Sequence, residues 1–195
     1  LPDEGIIFCC FNNSYKISSN EFDIWMRVLS KVEKSVIWLK IDNAVARNNL
    51  HNAAKKRGVE PSRIIFAEYL SMEEHLARYS LADIFLDTCD ALWAGTPIIT
   101  KLGKSFASRV AGSLLTAINL SELITNSEAE YENLILRLAT SPLEIEKIKK
   151  KLHENRYSEP LFDTKKYTKH LEEAFIEALT RHSNDKKPID INISA

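Results

Sequence analysis

Short apolar runs alternate along the chain with stretches whose apolar residues recur at helical spacing. Gly5 to Phe11 forms a run without polar alternation, as expected of a strand buried on both faces. Phe22, Trp25, Met26, Leu29 and Val32 then repeat with a helical period, which predicts a helix over 20–34. Ser18, followed three residues later by Glu21, is a capping-box start for it. Ser35 to Ile41 reads as a second strand. Ala44 to Arg57 reads as a polar helix stopped by Gly58, a residue type favoured just past helix ends. Arg63 to Ala67 is a third strand, and Ser71 with Glu74 opens a helix running to about Leu81. Asp83 to Thr88 is a fourth strand. A short helical stretch through Trp93 and a fifth strand, Thr96 to Thr100, follow.

Strand–helix alternation with short connections predicts an α/β fold, a doubly wound parallel sheet covered by helices. After Ser105 the pattern turns helical. Ser127 with Glu130 and Ser141-Pro142 with Glu144 open two helices, and Asp163 to Thr180 forms a last long amphipathic one. The expected organisation is one Rossmann-like domain with extra carboxyl-terminal helices over 1–182, and a polar tail over 183–195. In such folds ligands bind beyond the carboxyl ends of the strands. The loops to inspect are therefore 12–19, 67–72, 88–90 and 101–105.

Composition narrows the function classes. The 26 Lys and Arg nearly balance the 27 Asp and Glu, so the basic excess of a nonspecific nucleic-acid binder is lacking. No apolar run approaches the roughly 20 residues of a membrane span. The first residues have neither the basic region nor the long apolar stretch of a signal peptide. They also lack an initiator Met, which points to a fragment of a longer protein. Cys9, Cys10 and Cys89 are odd in number and irregular in spacing, unlike a disulfide framework or a zinc site. Cys9 and Cys10 read as small core hydrophobes, and a cytoplasmic, reducing compartment is the simplest expectation.

Several nucleotide and catalytic signatures are missing. The five glycines build neither Gly-x-Gly-x-x-Gly nor a phosphate loop, and there is no Gly-x-Ser-x-Gly elbow. The five histidines are scattered, so no metal cofactor is expected. Lys16 is a candidate phosphate contact, since it follows the first strand and lies beside a helix N-terminus; it also reads as a solvated surface lysine. His75 and Arg78, three apart, share a helix face; they could reach a crevice ligand or form a surface pair. Asp90 could cap its helix or hold a ribose diol. Asp87 reads equally as a structural or a crevice residue. Trp93 reads as core packing, and Lys147, Lys149, Lys150 and Lys151 as a solvated helix face.

A resemblance joins these segments. Phe11-Asn12-Asn13-Ser14-Tyr15-Lys16, Ser35-Val36-Ile37-Trp38-Leu39 and Arg63-Ile64-Ile65-Phe66 with Glu73-Glu74-His75 resemble the carboxyl-terminal half of the O-GlcNAc transferase catalytic region, in the form of a bacterial-type homologue. So do Leu81 to Thr88, Asp90-Ala91-Leu92-Trp93-Ala94-Gly95-Thr96-Pro97, Ala107 to Ala111 and Pro160 to Tyr167, all in one order from about Ile6 to Leu179. The resemblance implies the second domain of a GT-B glycosyltransferase. Such an enzyme is inverting and metal-independent, and transfers GlcNAc or a related hexose from a UDP-sugar to protein Ser or Thr hydroxyls. It implies that Lys16 and Asn13 meet the diphosphate and that Lys16 stabilises the leaving group. Leu70, His75 and Arg78 then lie near the uridine, and Asp90 holds the ribose.

The resemblance has departures. Met72 stands where animal members carry a Lys beside the nucleoside. Thr88 is followed directly by Cys89-Asp90, where the family carries a segment with a His-Thr-Thr run at the phosphates; the short junction reads as an omitted loop or a true deletion. The partners implied are a UDP-sugar donor, a protein acceptor, and an amino-terminal catalytic domain with helical repeats. The family's proposed base histidine belongs to that absent domain, so the fragment alone should transfer nothing. The competing readings are a degenerate domain used for protein contact, and another UDP-sugar enzyme of similar fold, such as an epimerase.

Overall fold

The structure is a computed structural model, and it describes residues 1–86, 90–104 and 106–193, with the side chains at 90, 107 and 108 left aside. Six parallel strands lie in the order β3-β2-β1-β4-β5-β6. They are β1 (Ile7–Cys10), β2 (Val36–Leu39), β3 (Ile64–Phe66), β4 (Ile84–Leu86), β5 (Ile98–Lys101) and β6 (Ile124–Thr125). The chain steps outward from β1 to β3, crosses back, and steps outward the other way from β4. The reversal leaves β1 beside β4, with Phe8 opposite Ile84 and Cys9 opposite Phe85. This is the doubly wound α/β sheet that the strand–helix alternation predicts.

Among the described residues there are eight α-helices: α1 (Ser19–Lys31), α2 (Ala44–Lys56), α3 (Met72–Ala77), α4 (Asp90–Ala94), α5 (Ala107–Ala117), α6 (Glu128–Ala139), α7 (Pro142–Ser158) and α8 (Thr164–Ser183). The capping boxes predicted at Ser18 and Ser71 are in place, whereas Ser141 makes no side-chain cap and α7 opens on Pro142. Ser18 Oγ accepts from Glu21 N at 3.2 Å while the Glu21 carboxylate accepts from Ser18 N at 3.0 Å. Ser71 and Glu74 repeat the arrangement at α3. Gly58 follows α2 with φ of 75°, a conformation that costs a side chain but not glycine. Gly5, at φ 97°, lies so close to the Lys34 carbonyl that a Cβ would stand 2.0 Å from its oxygen. That contact seats the start of β1 against the turn before β2.

The central strands are fully buried, as unalternated apolar runs require: Cys9, Leu39, Ile84, Phe85, Ile98 and Ile99 are sealed from solvent. Burial raises the Cys9 thiol well above its ordinary value, with Cys10 and Asp83 acting in the same direction. Cys9 and Cys10 are both buried, as small core hydrophobes should be.

Three expectations need correction. The chain does not become wholly helical after Ser105, because β6 adds a two-residue edge strand that pairs Thr100 with Ile124. Its shortness hides it from any periodicity. Trp93 is not core packing: it is 52% exposed and makes a T-shaped contact with the Phe162 ring, centroids 4.9 Å apart at 69°. The lysines of α7 are not a merely solvated face either. Lys149 reaches Asp83 at 3.0 Å and Lys151 reaches Glu122 at 2.7 Å.

Candidate functional site

The β1/β4 boundary is the topological switch point, and a crevice beyond the carboxyl ends of these strands is where ligands bind in such sheets. The loop after β1 enters this region through Phe11, which is buried, and Asn12. A single 3-10 turn, Ser14–Lys16, follows and is closed by Lys16 N donating to Asn13 O at 2.9 Å. Asn13 and Lys16 are both exposed there, and Asn13 Nδ2 donates to the Tyr15 hydroxyl at 3.2 Å. The following helix contributes less to an anion site than its position suggests. The Glu21 carboxylate also accepts from Ser18 Oγ at 2.8 Å, so α1 begins with a negative charge already in place. The open positive charge of this loop is that of Lys16.

On the other side of β1 stand the loop after β3 and α3. Leu70 is half-buried in that loop, and Met72 is the exposed first residue of α3. His75 and Arg78 do share a face, but in unequal positions. His75 is half-buried. Arg78 is only 5% exposed and closes the end of the sheet. Its Nη1 donates to the Glu68 carbonyl at 2.8 Å and its Nε to His75 Nδ1 at 2.8 Å. The guanidinium lies 4.9 Å from the Phe11 ring centroid and 5.9 Å from that of Trp38. Burial pulls Arg78 below its ordinary value, while Tyr79 and Glu74 act in the opposite direction.

Phe11 links the two halves of the site. Its ring meets Trp38 at 5.0 Å, Tyr79 at 5.2 Å, His75 at 5.4 Å and Phe85 at 5.8 Å. One side chain thus ties the β1 loop to α3 and to the ends of β2 and β4. The sequence places Phe11 only as the last residue of an apolar run, and its contacts lie 27 to 74 residues away. Lys40, the residue after β2, is a second cation at this end, its Nζ 5.8 Å from the centroid of the exposed Tyr69 ring. Sequence reasoning missed both residues; a lysine ending a buried strand was the available signal for the second.

The remaining candidates fall partly outside the described residues. Asp90 is the first residue of α4, which begins directly beyond β4, but its side chain is among those left aside. Asp87 and the Thr88–Cys89 junction also lie outside the described residues. Among the described residues no cluster of three or more His, Cys, Asp or Glu could hold a metal ion, and no helix is long and apolar enough to cross a membrane.

A parallel sheet wound in this order, extended by carboxyl-terminal helices, is the architecture of one half of a GT-B glycosyltransferase. The profile of glycosyl transferase family 41 matches residues 1–171, and the chain belongs to that family. It is 36% identical over 199 residues to the UDP-N-acetylglucosamine--peptide N-acetylglucosaminyltransferase of Caenorhabditis elegans, a match covering 97% of this chain and 17% of that protein. It is 35% identical over 198 residues to the Arabidopsis thaliana protein described as probable UDP-N-acetylglucosamine--peptide N-acetylglucosaminyltransferase SEC, covering 96% of this chain and 20% of the relative. Among solved structures, the K341M mutant of the Thermobaculum terrenum O-GlcNAc transferase superposes with a TM-score of 0.82 at 26% identity, over 88% of this chain and 35% of that one. The chain thus spans about a fifth of the length of these curated relatives.

Proposed function

We propose that this chain is the donor-binding half of an inverting, metal-independent glycosyltransferase. The whole enzyme would move GlcNAc, or a related hexose, from a UDP-sugar to Ser or Thr hydroxyls of proteins. The observation that carries the reading is the Lys16 loop, which stands at the sheet's switch point in a chain belonging to family 41.

In this reading the diphosphate lies against Lys16 and Asn13, and the uridine lies toward Leu70, His75 and the Arg78 brace. Asp90 holds the ribose hydroxyls. The acceptor oxygen attacks the anomeric carbon as the bond from that carbon to the β-phosphate oxygen breaks. Negative charge then grows on UDP, and the Lys16 ammonium stabilises it. A preorganised charge of this kind often supplies roughly 10²–10³ in rate. The hydroxyl proton must go to a base, and no residue of this chain is assigned that role. An amino-terminal catalytic domain would supply it and share the sugar contacts, with helical repeats before it.

Calorimetric titration with UDP, ADP and buffer alone tests the reading. UDP should bind and ADP should not, and Lys16→Ala should weaken UDP about tenfold, in line with the loss of one charge-assisted contact. A folded chain that ignores UDP at millimolar concentration, or binds ADP equally well, removes the donor-binding assignment.

A further inference from the structure

We propose that the cavity between α4, the end of α7 and the start of α8 is a binding site for a neutral hexopyranose, with Trp93 as its stacking surface. The site stands apart from the nucleotide reading above and does not depend on it.

The cavity has a volume of about 330 Å³, within the range of small-molecule sites. It lies away from the crevice beyond the carboxyl ends of the strands. Trp93 and Gly95 belong to the connection that feeds the start of β5, and so to the amino end of the sheet. Lys149, on the same helix as the cavity's Arg156, is tied to Asp83 just before β4, at that same end. Two segments that carry the resemblance, 90–97 and 160–167, meet here, and the donor reading uses only Asp90 of them.

The walls are fixed before any ligand arrives. Arg156 Nη1 donates to the Trp93 carbonyl, and Nη2 faces His153 Nδ1 at 2.8 Å. The T-shaped contact with Phe162, in the 3-10 turn Pro160–Phe162, holds one part of the indole and leaves the rest in water. Tyr157 lines the same cavity and is 77% exposed. Two large rings left open around one cavity suit a ligand with an apolar face of its own.

The polar groups decide which ligand. Arg156 and Lys166 share the lining with Glu159 and Asp163. An anion here meets two carboxylates, and a cation meets two cations. A hydroxyl group both donates and accepts, so a ligand rich in hydroxyls satisfies a lining of both signs. The Lys166 ammonium, on a half-buried side chain, has no partner among the described residues and can donate. Asp163 Oδ1 accepts from Lys166 N at 2.9 Å as the cap of α8, which leaves its other oxygen to accept. A pyranose ring joins both requirements. Its C–H groups stack on the negative face of an aromatic ring, and its hydroxyls stand around the rim.

Trp93 is also the reporter. The chain has three tryptophans, and Trp25 and Trp38 are only 3% and 8% exposed. The 195-residue chain is labelled with ¹⁵N, and the Trp93 indole signal is assigned by its loss in Trp93→Phe. N-acetylglucosamine is then added to about 50 mM, well above the roughly millimolar constant expected of one sugar on an open site. The Trp93 signal should shift saturably while those of Trp25 and Trp38 stay in place. Lys166→Met should weaken binding about tenfold, and so should Asp163→Asn, which keeps the cap of α8. Tyr157→Ala should weaken it as well, and Lys16→Ala should leave it unchanged. A serine peptide carrying the sugar separates the two sources of ligand: tighter binding than the free sugar assigns a protein-borne one, and equal binding assigns the free one. The absence of a saturable shift overturns the proposal. So does a shift that Lys166→Met and Tyr157→Ala both leave unchanged, acetate binding as well as the sugar, or the bare peptide binding as well as its glycosylated form. If Asp163→Asn does not fold, Lys166→Met and Tyr157→Ala decide.

Discussion

The two ends of the sheet use charge in opposite ways. At the amino end, charged groups are spent on the chain's own backbone. Asp83 Oδ2 accepts from Ile7 N at 3.0 Å, while its other oxygen holds Lys149. Arg63 donates to the carbonyls of Ser35 and Val32 and to the Ser35 hydroxyl, each at 2.8 Å. At the carboxyl end, Lys16 stands exposed, Lys40 rests on an aromatic ring, and Tyr15, Tyr69, Met72 and Phe106 are all left largely open. Groups of the first kind satisfy donors and acceptors that burial would otherwise strand. Groups of the second kind stabilise little and remain available to a ligand. Arg78 belongs to the carboxyl end by position and to the first kind by chemistry, which is why it reads as a brace.

The contrast makes ordered predictions. Arg63→Met removes three hydrogen bonds from a partly buried guanidinium and exposes two carbonyls to an apolar neighbour. It should cost about 3 kcal/mol in denaturant unfolding with UDP affinity unchanged. Asp83→Ala strands the Ile7 amide and Lys149 and should cost about 2 kcal/mol, again without altering UDP binding. Were either variant to lose nucleotide affinity while keeping its stability, the division between the two ends would be wrong. Lys16→Ala is the mirror case: the loss of UDP affinity given above, with an unfolding midpoint indistinguishable from wild type.

Smaller effects sharpen the same division. Ser71→Ala removes the cap of α3 and should cost about 1 kcal/mol. Because α3 carries His75, it should also loosen UDP slightly, which a cap at α6, Ser127→Ala, should not do. The smallest effect concerns the α1–α6 clamp. Hydrogen bonding from Arg27 and then Lys31 holds the Glu132 carboxyl below its ordinary value, against its own partial burial. A carboxylate depressed in the folded state stabilises above its unfolded pKa, and that contribution is lost as pH falls toward the folded value. Wild type should therefore lose more stability than Glu132→Gln on acidification below about pH 4.5, measured by urea midpoints at each pH.

Much of the scaffold was readable because its signals are local. The capping boxes at Ser18 and Ser71, the stop at Gly58 and the five apolar runs each sit within a few residues. The alternation they form implies a parallel sheet. Lys16 was singled out because the fold class says which loops matter, His75 and Arg78 because their spacing puts them on one helix face, and Leu70 by the family resemblance. Trp93 was misread because its apolar character says nothing of which neighbours reach it. The two-residue β6 was missed because it has no period to read.

What the sequence determined by itself is the set of elements, their caps and the loops at the carboxyl ends of the strands, since propensity and patterning act over roughly ten residues. The tertiary structure alone decided which strand lies beside which and that Phe11 joins β1 to α3. It also decided that Arg78 is buried against a histidine ring while Lys16 stays open. Those outcomes depend on contacts between residues tens of positions apart. The free energy of such a contact belongs to the pair, and neither residue carries it in its own neighbourhood.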